Sequence, residues 1–383
     1  MDRVYLDSAA TSQVREEVVE VMAQALRETY GNPSSTHSFG RTAKTGIEQA
    51  RKTIAKELNA QASEIIFTSG GTEADNMILR SAVRDLGVKV LITAAVEHHA
   101  VLHTAEELVA EYGVSLKLVS VNEFGEVELD HLRTLLSESK SEQVLVSLMH
   151  VNNEIGNLLD IQAVAEMCQE FGVLFHSDTV QSICHFKWDL QQTPIHFLTA
   201  AAHKFHGPKG VGFAYIRKDS GLKPLIFGGG QERGSRAGTE SYHNIVGMEK
   251  AFAMAYDQLD EERAYVQGLK SYFITELTKA IPDVAFNGRS GELDKSTYTL
   301  VSLRLPVDAQ KAMMLLFHLD LKGIACSKGS ACQSGSAQGS HVLSAFLNEA
   351  EMQKPSLRFS FSKYNTKAEL DYVVQELAQF VNG

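Results

Sequence analysis

The stretch Leu198-Thr199-Ala200-Ala201-Ala202-His203-Lys204-Phe205-His206-Gly207-Pro208-Lys209-Gly210 decides how the rest of the chain is read. An apolar run carries a single lysine to the end of a strand, and Gly and Pro then turn the backbone. A lysine placed there is buried or half buried, which disfavours its charged form. The neutral amine is a nucleophile able to form a Schiff base with an aldehyde. The same residues would also suit a lysine that merely opens a polar turn, so the rest of the chain has to decide.

Upstream of this stretch, short apolar runs alternate with amphipathic ones. Strands are expected near 64–68, 88–93, 114–119, 144–149 and 173–176, with helices after Thr72, after His99, near 129–136 and over 161–171. Two helices precede them, over 14–30 and roughly 42–58, separated by the breaker cluster Gly31-Asn32-Pro33-Ser34-Ser35. Downstream come a strand over 211–216 and one long helical stretch from about 244 to 281. A smaller unit follows, with strands over 298–304 and 357–362 and helices over 309–318 and 367–381. The alternation predicts an α/β fold with helices on both faces of a mostly parallel sheet. Residues 14–259 form the large domain, and residues 1–13 and 260–383 form a smaller α+β domain, with a cleft between them.

Composition narrows the function. The 383 residues are 44% hydrophobic and 22% charged, as in ordinary proteins with a large core. With 36 basic and 47 acidic residues the net charge is −11, which disfavours nucleic acid or an anionic membrane as partner and favours a small-molecule substrate. The start, Met1-Asp2-Arg3-Val4-Tyr5-Leu6-Asp7, lacks the basic and apolar segments of a signal peptide, and no apolar run approaches bilayer length, so a cytoplasmic location is expected. The four cysteines are too scattered for a disulfide framework. Cys168 and Cys184 read as core. Cys332 is surrounded by small polar residues in Gly329-Ser330-Ala331-Cys332-Gln333-Ser334-Gly335, which reads as a moving loop with a reactive thiol whose pKa Lys328 could lower.

Three further groups carry chemistry. Thr68-Ser69-Gly70-Gly71-Thr72-Glu73 joins a strand to a helix, where free N–H groups suit a phosphate or simply a capped helix. It is not a P-loop, and no GxGxxG fingerprint exists. Glu97-His98-His99 follows a strand at the edge where α/β proteins place ligands, so a histidine there can stack on a ring or move protons. No spacing favours a metal. Asp178, after Val173 to Phe175, is either a helix cap or a carboxylate able to keep a heterocyclic nitrogen protonated.

Together these residues resemble the cysteine desulfurases of the NifS/IscS type, fold type I pyridoxal-phosphate (PLP) enzymes related to the class V aminotransferases. The likeness runs from Tyr5-Leu6-Asp7 to about Phe380. It includes His150-Val151-Asn152-Asn153-Glu154-Ile155-Gly156, Asp178-Thr179-Val180-Gln181, His203-Lys204, Gly228-Gly229-Gly230-Gln231-Glu232-Arg233-Gly234, Gly329-Ser330-Ala331-Cys332 and Leu357-Arg358-Phe359-Ser360. The resemblance implies that Lys204 binds pyridoxal 5'-phosphate and moves protons, with Asp178 on the pyridine nitrogen, His98 stacked on the ring and Gln181 at its phenolic oxygen. Thr72 and His203 would hold the phosphate, joined by Thr239 of a neighbouring subunit in a homodimer. Asn153 and Arg358 would bind the substrate carboxylate.

Cys332 would take the sulfur of L-cysteine as a persulfide, release L-alanine and pass the sulfur to an acceptor protein, such as an iron–sulfur scaffold or a tRNA-thiolation protein. A selenocysteine lyase, or another class V lyase or aminotransferase, is the alternative. Ala201 stands where relatives commonly carry a serine donating to the phosphate, and Cys326 and Lys328 where small residues are usual.

Overall fold

The computed structural model describes residues 3–218, 220–328 and 339–383. In chain order its strands are β1 (Val4–Tyr5), β2 (Ile65–Thr68), β3 (Val90–Ala94), β4 (Ser115–Val119), β5 (Val144–Ser147), β6 (Leu174–Asp178), β7 (Phe197–Ala201), β8 (Gly212–Ile216), β9 (Ala285–Phe286), β10 (Leu300–Arg304), β11 (Ile324–Ala325) and β12 (Ser356–Ser360). Its helices are α1 (Glu16–Glu28), α2 (Ser38–Glu57), α3 (Gly71–Leu86), α4 (His99–Tyr112), α5 (Leu129–Glu138), α6 (Ile161–Phe171), α7 (Tyr242–Asp257), α8 (Leu259–Ala280), α9 (Ala309–Leu321), α10 (His341–Ser344), α11 (Glu349–Met352) and α12 (Lys367–Asn382).

Seven strands make one sheet in the order β2-β8-β7-β6-β5-β3-β4. β4, β3, β5, β6 and β7 run parallel. Each is reached by a helical crossover or a long connection. Every residue of β3 and β5 is buried, as expected where helices cover both faces and no polar alternation is needed. β8 is antiparallel to both neighbours, β7 and β2. The link from β7 to β8 is ten residues, Ala202 to Val211, too short for a crossover helix, so the chain must double back.

The long helix expected over 244–281 is two helices. They meet at Gln258, whose φ of −102° and ψ of 9° are not helical. The break lets α7 lie against α1 and α2 while α8 packs on α12. Gln258 Oε1 accepts from Arg15 Nη1 at 2.8 Å, which fixes the bend to the start of α1.

A second core forms around Leu6, Phe273, Leu303, Phe359 and Leu377, under the antiparallel sheet β12-β10-β9 and the parallel pair β1–β11. Val342 and Leu343 of α10, although late in the chain, belong to the core of the large sheet.

Local chemistry fixes the two loops that matter most. Gly70 has φ +151°, a conformation open to glycine, and a Cβ on Gly71 would lie 2.7 Å from Val180 Cγ2. The start of α3 can therefore press against the turn after β6. The Gly-rich 228–234 loop is tied down by Glu232, which is buried and accepts from Arg51 Nη1 and Nη2 at 2.7 and 2.8 Å and from Phe67 N–H at 2.9 Å. The buried fork outweighs the strain of the left-handed Glu232 and Arg233 (φ +46° and +56°).

Candidate active site

A cavity of about 380 Å³ opens at the carboxyl ends of β6 and β7, where residues 9–10 and Arg358 close over them. That is the edge at which open α/β sheets receive ligands. Thr72, His98, Asn153, Asp178, Gln181, His203, Lys204 and Arg358 all line it. Residues spread over nearly three hundred positions of sequence thus share one space.

Lys204 is not at the end of the strand. It closes a single 3-10 turn, Ala202–Lys204, just beyond β7, because Ala202 C=O accepts from both Phe205 and Gly207 N–H. The turn carries Nζ to the mouth of the cavity, where it donates to Ala9 and Ala10 C=O at 2.6 and 2.9 Å. Gln181 Nε2 donates to the same Ala9 carbonyl at 2.9 Å.

Asp178 ends β6 and is buried, its Oδ1 accepting from Val180 N–H at 2.9 Å. It caps a turn rather than a helix, since none follows β6, and it lines the cavity. Burial, followed by the neighbouring Asp75, pushes its pKa up to about 6. Asp75 lies on α3 one turn after Thr72, lines the same cavity and accepts from Thr199 Oγ1 at 2.9 Å; burial raises it to about 7. The sequence reading missed Asp75. Its position three residues beyond Thr72 on one helix was the available signal.

His98 is the N-cap of α4, with Nδ1 accepting from Ala100 N–H at 3.1 Å, so the ring is held in one orientation. Burial lowers its pKa and keeps the ring neutral. His203 is pushed down to about 4 by burial, then by Lys204, and its buried Nδ1 has no hydrogen-bond partner among the described residues. Asn153 Oδ1 is likewise buried without a partner among the described residues. Arg358 is 2% exposed; it donates from Nη1 to Asn153 C=O at 2.7 Å and from Nη2 to Asp7 Oδ1 at 3.1 Å. Among the described residues, no group of three His, Cys, Asp or Glu is placed to hold a metal ion.

One expected residue stands apart. Thr239 lines a separate recess of about 190 Å³ with Ser69, Arg236 and Ser241. Cys332 lies outside the described residues. Cys168 and Cys184 are buried, and burial raises both thiols, Cys168 to about 12. Burial also pushes Cys326 up to about 12, so it is a thiol rather than a thiolate at neutral pH.

The donor set fits pyridoxal phosphate on its own chemistry. The site offers a lysine amine at the cavity mouth, a buried carboxyl whose ionised form a ring N–H⁺ would stabilise, and a neutral flat imidazole. The unpartnered polar atoms of His203 and Asn153 lie close by, beside the N-terminus of a sixteen-residue helix. The volume suits a cofactor and a small amino acid together.

Fold and site define a class, and the chain belongs to it: the model of the aminotransferase class-V family matches residues 4–373. Within that family the chain is similar to the cysteine desulfurase IscS of Dictyoglomus turgidum, 42% identical over 99% of this chain and 94% of the relative. Among solved structures it is similar to a NifS-like protein, with 34% identity, a TM-score of 0.89 and 99% of both chains covered. It is also similar to SspA in complex with cysteine, with 30% identity and a TM-score of 0.79 over 94% of this chain and 99% of that one.

Proposed function

We propose that this enzyme is a cysteine desulfurase that converts L-cysteine to L-alanine on pyridoxal 5'-phosphate held in the described cavity, with the sulfur passing to Cys332 as a persulfide. The observation that carries the reading is the convergence of Lys204, Asp178, His98 and Arg358 on one cavity. The names of the full-length relatives, and a cysteine complex of one structural neighbour, support it.

Lys204 would hold the cofactor through Nζ, Asp178 its ring nitrogen, His98 its ring face, Gln181 its phenolic oxygen, and Thr72 and His203 its phosphate, with Thr239 reaching in from the second copy of a homodimer. When bound, the cofactor supplies an electron sink for the carbon beside the substrate's carboxylate. Arg358, already oriented by Asp7, binds that carboxylate together with Asn153. Lys204 Nζ would hold and return the proton of the carbon beside that carboxylate. Buried His98 stays neutral, so it packs without adding a cation that would compete with a protonated ring nitrogen for Asp178.

The balance is simple. The thiolate of Cys332 bonds to the substrate sulfur, the C–S bond breaks, its electron pair stays on the substrate's β-carbon, and that carbon takes a proton to become the methyl of alanine. The persulfide then passes to an acceptor protein, an iron–sulfur scaffold or a tRNA-thiolation protein. No helix among the described residues is long and apolar enough to cross a membrane; with the acidic charge balance this supports a cytoplasmic location. The test is Lys204→Ala: the bound cofactor's visible absorbance is lost on gel filtration, and an unchanged spectrum would overturn the assignment.

A further inference from the structure

Cys332 follows Ser327 by five residues and precedes Ser340 by eight. Both serines are described: Ser327 is tied to Arg358, one of the groups assigned to the substrate's carboxylate, and Ser340 to Glu154, the chain neighbour of the other, Asn153. Ser327 pairs with Arg358 itself: Arg358 N–H donates to Ser327 C=O at 2.7 Å and Ser327 N–H to Arg358 C=O at 3.2 Å. Ser327 Oγ donates to Asp7 Oδ1 at 2.8 Å, the same oxygen that receives Arg358 Nη2 at 3.1 Å. Asp7 thus holds the guanidinium and one end of the Cys332 stretch with a single atom.

The other end is held from across the cavity. Ser340 Oγ donates to Glu154 Oε2 at 2.5 Å and accepts from Leu343 N–H at 3.1 Å, capping α10. His341 Nε2 donates to Glu97 C=O at 2.8 Å. Glu154 follows Asn153 directly, and its turn is fixed by Asn152, whose Oδ1 accepts from both Glu154 and Ile155 N–H. Both carboxylates are therefore one or two contacts from a substrate-binding group and one contact from an end of the sulfur-accepting stretch.

We propose that Asp7 and Glu154, acting through Ser327 and Ser340, are positioning residues for sulfur transfer, coupling the carboxylate-binding pair Arg358 and Asn153 to the two ends of the Cys332 segment. The inference rests on the desulfurase reading. A hydrogen bond to a carboxylate is strong enough that losing one at either end should be visible in the transfer step. Neither serine hydroxyl is bonded to a group assigned to the cofactor; Ser327 shares Asp7 with Arg358, so its loss also reaches substrate binding, whereas Ser340 is bonded to Glu154 and not to Asn153.

The experiment is steady-state alanine release from L-cysteine with dithiothreitol by the holoenzyme, its Ser327→Ala and Ser340→Ala variants, and Ser340→Thr, which keeps both hydroxyl and helix cap. The expected result is a kcat about ten-fold lower in each alanine variant, as for one such bond. Cofactor absorbance should be unchanged in both alanine variants and KM unchanged in Ser340→Ala, with kcat, and the melting temperature lowered by loss of the helix cap, both restored in Ser340→Thr. Should Ser340→Ala fail to fold for want of its cap, Ser327→Ala gives the same reading. Wild-type kcat in the alanine variants, or a loss of kcat matched by loss of bound cofactor, overturns the coupling and leaves the desulfurase reading standing. No alanine from the wild type at all would instead overturn the desulfurase reading, and the coupling with it.

Discussion

Lys204 and Lys270 are two lysines in similar polar company with different standing. Lys204 Nζ donates to the carbonyls of Ala9 and Ala10. Lys270, on α8, is completely buried and donates to Ser296 Oγ and Thr297 C=O, both at 2.7 Å. Burial pushes Lys270 down to about 7, the range of a catalytic amine. Yet it is enclosed at the seam between α8 and the approach to β10, whereas Lys204 opens on a cavity shared with Asp178, His98 and Arg358. A depressed pKa thus marks burial; reactivity needs a space in front of the amine and groups that hold a substrate there.

The largest effect expected from this contrast is at Asp178. Asp178→Asn should lower alanine release about a hundredfold, the scale of losing one preorganised charge. It should also stabilise the chain stripped of cofactor. A carboxyl whose folded pKa is raised to about 6 keeps its proton longer in the folded state, so the wild type loses stability as pH rises from about 4 to about 6. The asparagine variant escapes that loss, and its melting temperature at pH 8 should exceed the wild type's. Equal melting temperatures would mean that Asp178 is not strained by burial.

The smaller effect is at Lys270. Lys270→Met should leave kcat and KM for L-cysteine unchanged while costing about 1–3 kcal/mol, because it strips the donor from two buried oxygens. Here the sign of the pH dependence is opposite to that of Asp178. Between about 7 and 10.5 the unfolded chain carries the proton that folded Lys270 has given up, so stability rises with pH in the wild type and not in the variant. Urea denaturation of both proteins at pH 7 and 9 reads this directly. A loss of activity in the folded variant would erase the distinction between the two lysines.

The same contrast explains what the sequence could and could not convey. Asp178 sits where an apolar strand run ends and Lys204 and His98 three to four residues beyond one, so their position at one sheet edge follows from the alternation of elements. The break at Gln258 and the 3-10 turn under Lys204 were not legible. The break depends on Arg15, far along the chain, and the turn on main-chain bonds, from Phe205 and Gly207 N–H to Ala202 C=O and from Ala202 N–H to Val211 C=O, that no side-chain pattern announces. Lys270 reads as one more polar residue on an amphipathic helix; only folding brings it against Ser296 and Thr297. Asp7 is 351 residues from Arg358, so nothing in local pattern joins the two. Glu154 was visible within its motif, but not its hold on Ser340.

The central claim is that sulfur leaves the substrate for Cys332, and alanine formation measures it most directly. Holoenzyme and its Cys332→Ser variant, both with cofactor bound, are given L-cysteine and a reducing thiol, and released alanine is quantified. The account predicts that the wild type turns over and that the variant releases essentially none; equal release by the two would contradict it.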